Sequence, residues 1–139
     1  MREGFSMDEL YKQRLIDHHK NPRNKGKIDD ADVEKKDKNP MCGDVVEMYL
    51  QIDDGTVKNV AFEGKGCVIC LATSSILTEE FMDKDVTDIV DMDKDDVMDI
   101  IGIDLETTRI KCATLPLLAT KKGILENDAL ESYLQNTED

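Results

Sequence analysis

No apolar run in this chain approaches the about 18 residues that a membrane-spanning helix needs. The opening residues lead directly into an amphipathic segment and carry no apolar stretch of the length export requires. A cytosolic chain is therefore expected. Basic charge is scarce as well: 18 Lys and Arg stand against 31 Asp and Glu, for a formal net charge of -13. Phosphate-backbone binding depends on a cationic surface, so neither nucleic acid nor a membrane is expected as a partner, whereas basic protein surfaces are. Internal repeats and low-complexity segments are absent too. The 139 residues are the size of one domain with its own core, expected over 1–139 with 1–6 and 136–139 frayed.

What the chain does have is four cysteines, and in a reducing compartment these read as ligands or reactive thiols before disulfides. Three lie in Asn39-Pro40-Met41-Cys42-Gly43-Asp44, Gly64-Lys65-Gly66-Cys67 and Arg109-Ile110-Lys111-Cys112, where loops are expected to meet strands or helices. Brought to one edge, three thiolates and the Asp44 carboxylate suit a soft metal or an iron-sulfur cluster, with one harder, more exchangeable corner. Their separations of 25 and 45 residues are unlike the short pairs of zinc fingers, so spacing alone does not distinguish a shared site from unconnected buried thiols.

Around these loops, helical spacing of Met7, Leu10, Tyr11, Leu15 and His18 after a capping-box pattern at Ser6 and Glu9 predicts a helix over 7–19. His18 and His19 are adjacent and point different ways on a helix, which favours surface or packing roles over joint metal binding. The mixed charges of 25–38 read as a solvated connection. Alternation of Val46, Met48, Leu50 and Ile52 predicts a strand, Asp53-Asp54-Gly55 a hairpin turn, and 56–63 the return strand with a bulge near Lys58 and Asn59.

Cys67 then opens a helix over 68–82, where the positive end of the backbone dipole favours a thiolate as ligand or nucleophile. Cys70, in Cys67-Val68-Ile69-Cys70, reads as a core thiol, with a redox pairing or an auxiliary sulfur role as the alternatives. Ten acidic residues between Glu79 and Asp99 read as a solvated face, since the oxygen spacing and central glycine of an EF-hand are missing. A short helix is expected to stop at Gly102, followed by an extended lead over 103–111. A helix would start near Cys112 with Pro116 in its first turn and close at Lys121-Lys122-Gly123, before a terminal helix over 127–135.

Taken in order, Asp17-His18-His19-Lys20-Asn21-Pro22-Arg23-Asn24, Pro40-Met41-Cys42-Gly43-Asp44, Phe62-Glu63-Gly64-Lys65-Gly66-Cys67 with Thr73-Ser74-Ser75, and Lys111-Cys112-Ala113-Thr114-Leu115 resemble the IscU/SufU/NifU N-terminal family of iron-sulfur cluster assembly scaffolds over about residues 9–125. The resemblance implies an α+β fold of the SufE/NifU-like kind, a three-stranded antiparallel sheet packed by helices, with the site at one exposed end. It places the family's metal ligands on Cys42, Asp44, Cys67 and Cys112, with Cys42, Cys67 and Cys112 as persulfide acceptors. The implied work is to combine sulfur from a cysteine desulfurase with iron into a transient 2Fe-2S cluster and pass it to apo-proteins. That is assembly rather than small-molecule turnover.

Two departures bear on which branch is meant. Lys111 stands where the IscU branch has histidine and resembles the SufU branch, whose members hold zinc and accept sulfur; that makes a zinc-dependent sulfurtransferase the alternative. The 45-residue separation, however, leaves no room for that branch's insertion. An ammonium at Lys111 would favour thiolates and offset cluster charge, or simply be solvated. Leu105-Glu106-Thr107-Thr108-Arg109 lacks the Leu-Pro-Pro-Val-Lys motif, so a dedicated Hsp70 chaperone is not carried over. A homodimer sharing the cluster stays open.

Overall fold

The computed structural model describes residues 7–41 and 43–135. The expected cap at Ser6, the frayed ends and Cys42 lie outside them. Helix α1 (Met7–Lys20) precedes strands β1 (Val33–Asn39), β2 (Asp44–Asp53) and β3 (Thr56–Lys65). Helices α2 (Val68–Phe81), α3 (Val86–Asp91), α4 (Lys94–Ile101), α5 (Thr107–Glu126) and α6 (Glu131–Gln135) follow, with a 3-10 turn over Asp128–Leu130. The sheet is antiparallel in the order β1-β2-β3, as the resemblance implied.

The strand alternation works as expected. Val46, Met48 and Leu50 face inward beside Val60 and Phe62, all nearly or fully buried. Asp54 and Gly55 both take positive φ, 54° and 79°, which is the geometry that lets a two-residue turn follow the twist of its strands. Gln51 pairs with Asn59 and Ile52 with Val57, so Lys58 is the extra residue of the expected bulge.

The third strand is not the solvated connection expected over 25–38. β1 points Val33, Lys35, Asp37 and Asn39 toward the helices, and only the first of these is apolar, so no hydrophobic alternation announces it. Its inward charges are met by α5: Lys35 Nζ donates to Glu126 at 2.8 Å and Lys122 Nζ to Asp37 at 2.8 Å. Each such exposed pair is worth at most about 1 kcal/mol, so the pairs set register more than stability.

Helices α2 and α5 cover the inner sheet face, and α1 packs on α2. Ile76, Leu77 and Phe81 of α2 are wholly buried, at about 1.5–3 kcal/mol each by area removed from water. Gly102 stops α4 with φ 73°, and the Tyr11 ring of α1 occupies the space a side chain there would need. Arg14 Nη1 adds a 2.7 Å bond to the Ile100 carbonyl, fixing α1 across the end of α4.

α5 departs most from expectation. It begins at Thr107 rather than near Cys112, and runs through Lys121-Lys122-Gly123 to Glu126. Cys112 and Pro116 therefore lie inside it. Gly123 continues the helix because its missing side chain admits Val33 of β1, whose methyl lies 2.5 Å from where a Cβ would sit. Pro116 has no N–H to offer the Cys112 carbonyl four residues back, a break in the helical bonding that buried neighbours Leu115 and Leu117 offset. α3 was not expected either; its two buried side chains, Val86 and Ile89, are too few to stand out within an acidic stretch.

Candidate metal centre

Three elements end at the same edge of the sheet. Asp44 is the first residue of β2 and pairs with Asn39, the last of β1, while Val45 pairs with Lys65 at the end of β3. The chain leaves β3 through Gly66 and caps α2 with Cys67, whose sulfur accepts from the Cys70 backbone N–H at 3.5 Å. Asp44 Oδ1 accepts the Cys67 N–H at 2.9 Å, and Oδ2 lies 3.9 Å from Cys67 Sγ. α5 brings Cys112 to the same point from below.

One atom each from Asp44, Cys67 and Cys112 lies within 4.8 Å of the other two. A tetrahedral metal with bonds of about 2.0–2.3 Å has ligand edges of about 3.3–3.8 Å, so the 3.9 Å carboxylate-to-sulfur separation needs little adjustment. The donor chemistry fits zinc or iron equally well, two soft sulfurs with one hard oxygen. Cys42 lies outside the described residues. Its neighbours Met41 and Gly43 belong to the β1–β2 turn, directly ahead of Asp44.

Gly66 is what permits the approach. At φ 154° it passes the Asp44 carboxylate so closely that any Cβ would overlap Oδ1. Asp44 and Cys112 are fully buried and Cys67 is half-buried, so solvent reaches the group from the α2 side. The described cysteines Cys67, Cys70 and Cys112 are thiols, not disulfides.

Asn39 is the residue that sequence reading passed over. Its side chain is buried, its Nδ2 points at Cys112 Sγ from 4.0 Å, its Oδ1 accepts from Met41 N–H at 3.3 Å, and its carbonyl accepts from Gly43 N–H at 2.9 Å. It thus ties Met41 and Gly43 to the strand end beside the Cys112 sulfur. Its position ahead of Pro40 in the cysteine loop was the available signal.

The remaining candidates sit elsewhere. Lys111 is exposed beside Cys112 and lines a groove of about 260 Å³ with Lys38, Leu118 and Lys122. Cys70 is buried one turn into α2. His18 belongs to packing: its Nδ1 meets Ser75 Oγ at 2.7 Å, and that oxygen also accepts the Arg23 N–H at 2.8 Å. Burial lowers the His18 pKa from its ordinary 6.5, Arg23 pushes the same way, and Glu79 opposes. His19 is exposed. The acidic stretch lines an open cleft of about 420 Å³ with Glu80, Asp88, Asp91, Asp96 and Asp99, the solvated face that was expected.

Fold and site together define a small α+β domain that gathers thiols and a carboxylate at one sheet end. Residues 10–132 match the family described as NifU-like N terminal domain, and the chain belongs to that family. The zinc-dependent sulfurtransferase SufU of Bacillus subtilis is 35% identical, over 92% of this chain and 98% of that protein. The iron-sulfur cluster assembly scaffold protein IscU 1 of Archaeoglobus fulgidus is 32% identical, over 84% of this chain and 76% of its own. Among solved structures, the N-terminal NifU-like protein of Brucella abortus superposes with a TM-score of 0.70 at 22% identity, covering 91% of this chain and 99% of that one, which supports the fold.

Proposed function

We propose that this chain is a scaffold on which iron and desulfurase-derived sulfur are assembled into a 2Fe-2S cluster that is then passed to apo-proteins. The observation that carries the reading is the convergence of Asp44, Cys67 and Cys112. Cys42, two residues before Asp44 in the sequence, completes the proposed ligand set. Thiolates attack sulfane sulfur and also hold iron, so one set of side chains serves both accepting sulfur and retaining the cluster. Asp44 is the hard ligand, the corner that an acceptor's thiolate displaces first. The cysteine desulfurase and the acceptors dock at this end, where Met41 and Val68 expose apolar side chains.

The relative named a zinc-dependent sulfurtransferase, together with Lys111 before Cys112, supports a second reading: zinc held by the same four side chains, with one thiolate released to take sulfur. Anaerobic purification followed by metal and acid-labile sulfide analysis separates the two. Iron and sulfide in equal amounts, with visible charge-transfer absorption, supports the scaffold. Stoichiometric zinc together with stimulation of a cysteine desulfurase supports the sulfurtransferase, and neither result would leave both without support.

A further inference from the structure

Cys67 and Cys70 stand in a relation that metal binding does not use. Cys67 caps α2 and Cys70 is the third residue inside it, with its backbone N–H 3.5 Å from the Cys67 sulfur. Cap and third-residue side chains lie on the same side of a first turn, which is why a capping box can close between them. Side chains three apart on a helix have Cβ atoms about 5–6 Å apart, and a disulfide needs about 3.5–4.5 Å, so a small closure of the turn joins the sulfurs. Cys67 is half-buried and open to a donor, whereas Cys70 is wholly buried and lies outside the Asp44, Cys67 and Cys112 group. An accessible thiol at a helix cap backed by a shielded one a turn later is the arrangement of an attacking and a resolving cysteine.

We propose that Cys70 resolves a persulfide carried on Cys67, releasing its outer sulfur as sulfide. This rests on Cys67 being a sulfur acceptor, as in the function proposed above. The Cys70 sulfur attacks Cys67 Sγ, a bond forms between the two cysteine sulfurs, and the bond from Cys67 Sγ to the outer sulfur breaks. The outer sulfur leaves as hydrosulfide, and the Cys70 proton goes to solvent. Sulfane sulfur is thereby reduced by two electrons to sulfide while Cys67 and Cys70 are oxidised to a disulfide. The pair thus supplies the electrons that cluster sulfide needs. A small or protein dithiol restores both thiols by exchange before the next round. Cys112 also lies near Cys67, but it is a proposed ligand, and its oxidation would remove two ligands at once; Cys70 leaves Asp44 and Cys112 in place.

The test uses the full chain, reduced, metal-free and anaerobic, mixed with an equimolar amount of inorganic polysulfide and no other reductant. Trypsin yields residues 66–84 as one peptide whose only cysteines are Cys67 and Cys70. The expected result is that peptide lighter by two hydrogens, with about one more sulfide per chain than Cys70→Ala releases, because loading a thiol from polysulfide can free sulfide by itself. In Cys70→Ala the peptide should instead keep an added sulfur, and only the sulfide freed by loading should appear. Wild-type peptide that retains the added sulfur, a disulfide linking it to the Cys112 peptide, or an equal sulfide yield from Cys70→Ala would each overturn the role of Cys70 alone. Absence of added sulfur or disulfide on every cysteine of wild type and variant would overturn the acceptor reading beneath it. The wild-type peptide mass decides the matter even if the variant folds poorly.

Discussion

Asp44 does two things with one carboxylate: Oδ1 holds the Cys67 N–H at 2.9 Å, and Oδ2 faces the Cys67 sulfur. A carboxylate tied this way keeps one oxygen turned to the Cys67 sulfur while the other fixes that residue's backbone. Asp44→Ala should slow transfer of a preformed cluster to an apo-acceptor several-fold, followed by visible spectroscopy; unchanged transfer would remove Asp44 as the labile corner. His18 yields a pH prediction. Because its folded pKa lies below its unfolded one, the unfolded chain takes up the proton first as pH falls, so stability present above about 6.5 is lost on going below it. Melting curves of wild type between pH 7.5 and 5.5 should fall more steeply than those of His18→Gln, about those values. Equal slopes would show that the buried imidazole does not contribute.

The elements differ in how much of them the sequence announced. β2, β3 and their turn were legible because Val46, Met48, Leu50, Val60 and Phe62 put apolar side chains at inward positions and Asp54-Gly55 demands positive φ. β1 was hidden because its register depends on Lys35 and Asp37 meeting Glu126 and Lys122, partners 85 or more residues away. The start of α5 was misplaced because Pro116 read as a first-turn residue, whereas tertiary packing carries the helix through it. The meeting of Cys67 and Asp44 was legible from their loops; Asn39 was not, since its role lies in a buried contact. The link between β3 and α2 gives the sharpest test of element packing. Gly66→Ala must adopt a strained φ and push its methyl against Asp44, so the chain should lose about 1–3 kcal/mol in urea unfolding, with weakened zinc or iron binding. Wild-type stability and metal affinity in that variant would refute the close approach.

At the scale of the whole molecule, charge is unevenly spread. The stretch from Glu79 to Asp99 holds ten acidic residues with Lys84 and Lys94, and its exposed carboxylates crowd one cleft. Lys38, Lys111 and Lys122 instead gather near the proposed centre. Self-repulsion at net charge -13 is screened by salt, so the melting temperature should rise between about 20 and 200 mM sodium chloride. Asp88→Asn combined with Asp99→Asn should reduce that rise; the same salt response in the double variant would locate the repulsion elsewhere. Pro116, four residues past Cys112, gives the long helix of this crowded little body a missing rung beneath the sulfur. The helix on either side keeps its bonding, so the break is confined to that one turn. A small adjustment at that turn would move the Cys112 sulfur relative to Asp44 while the rest of the helix keeps its shape.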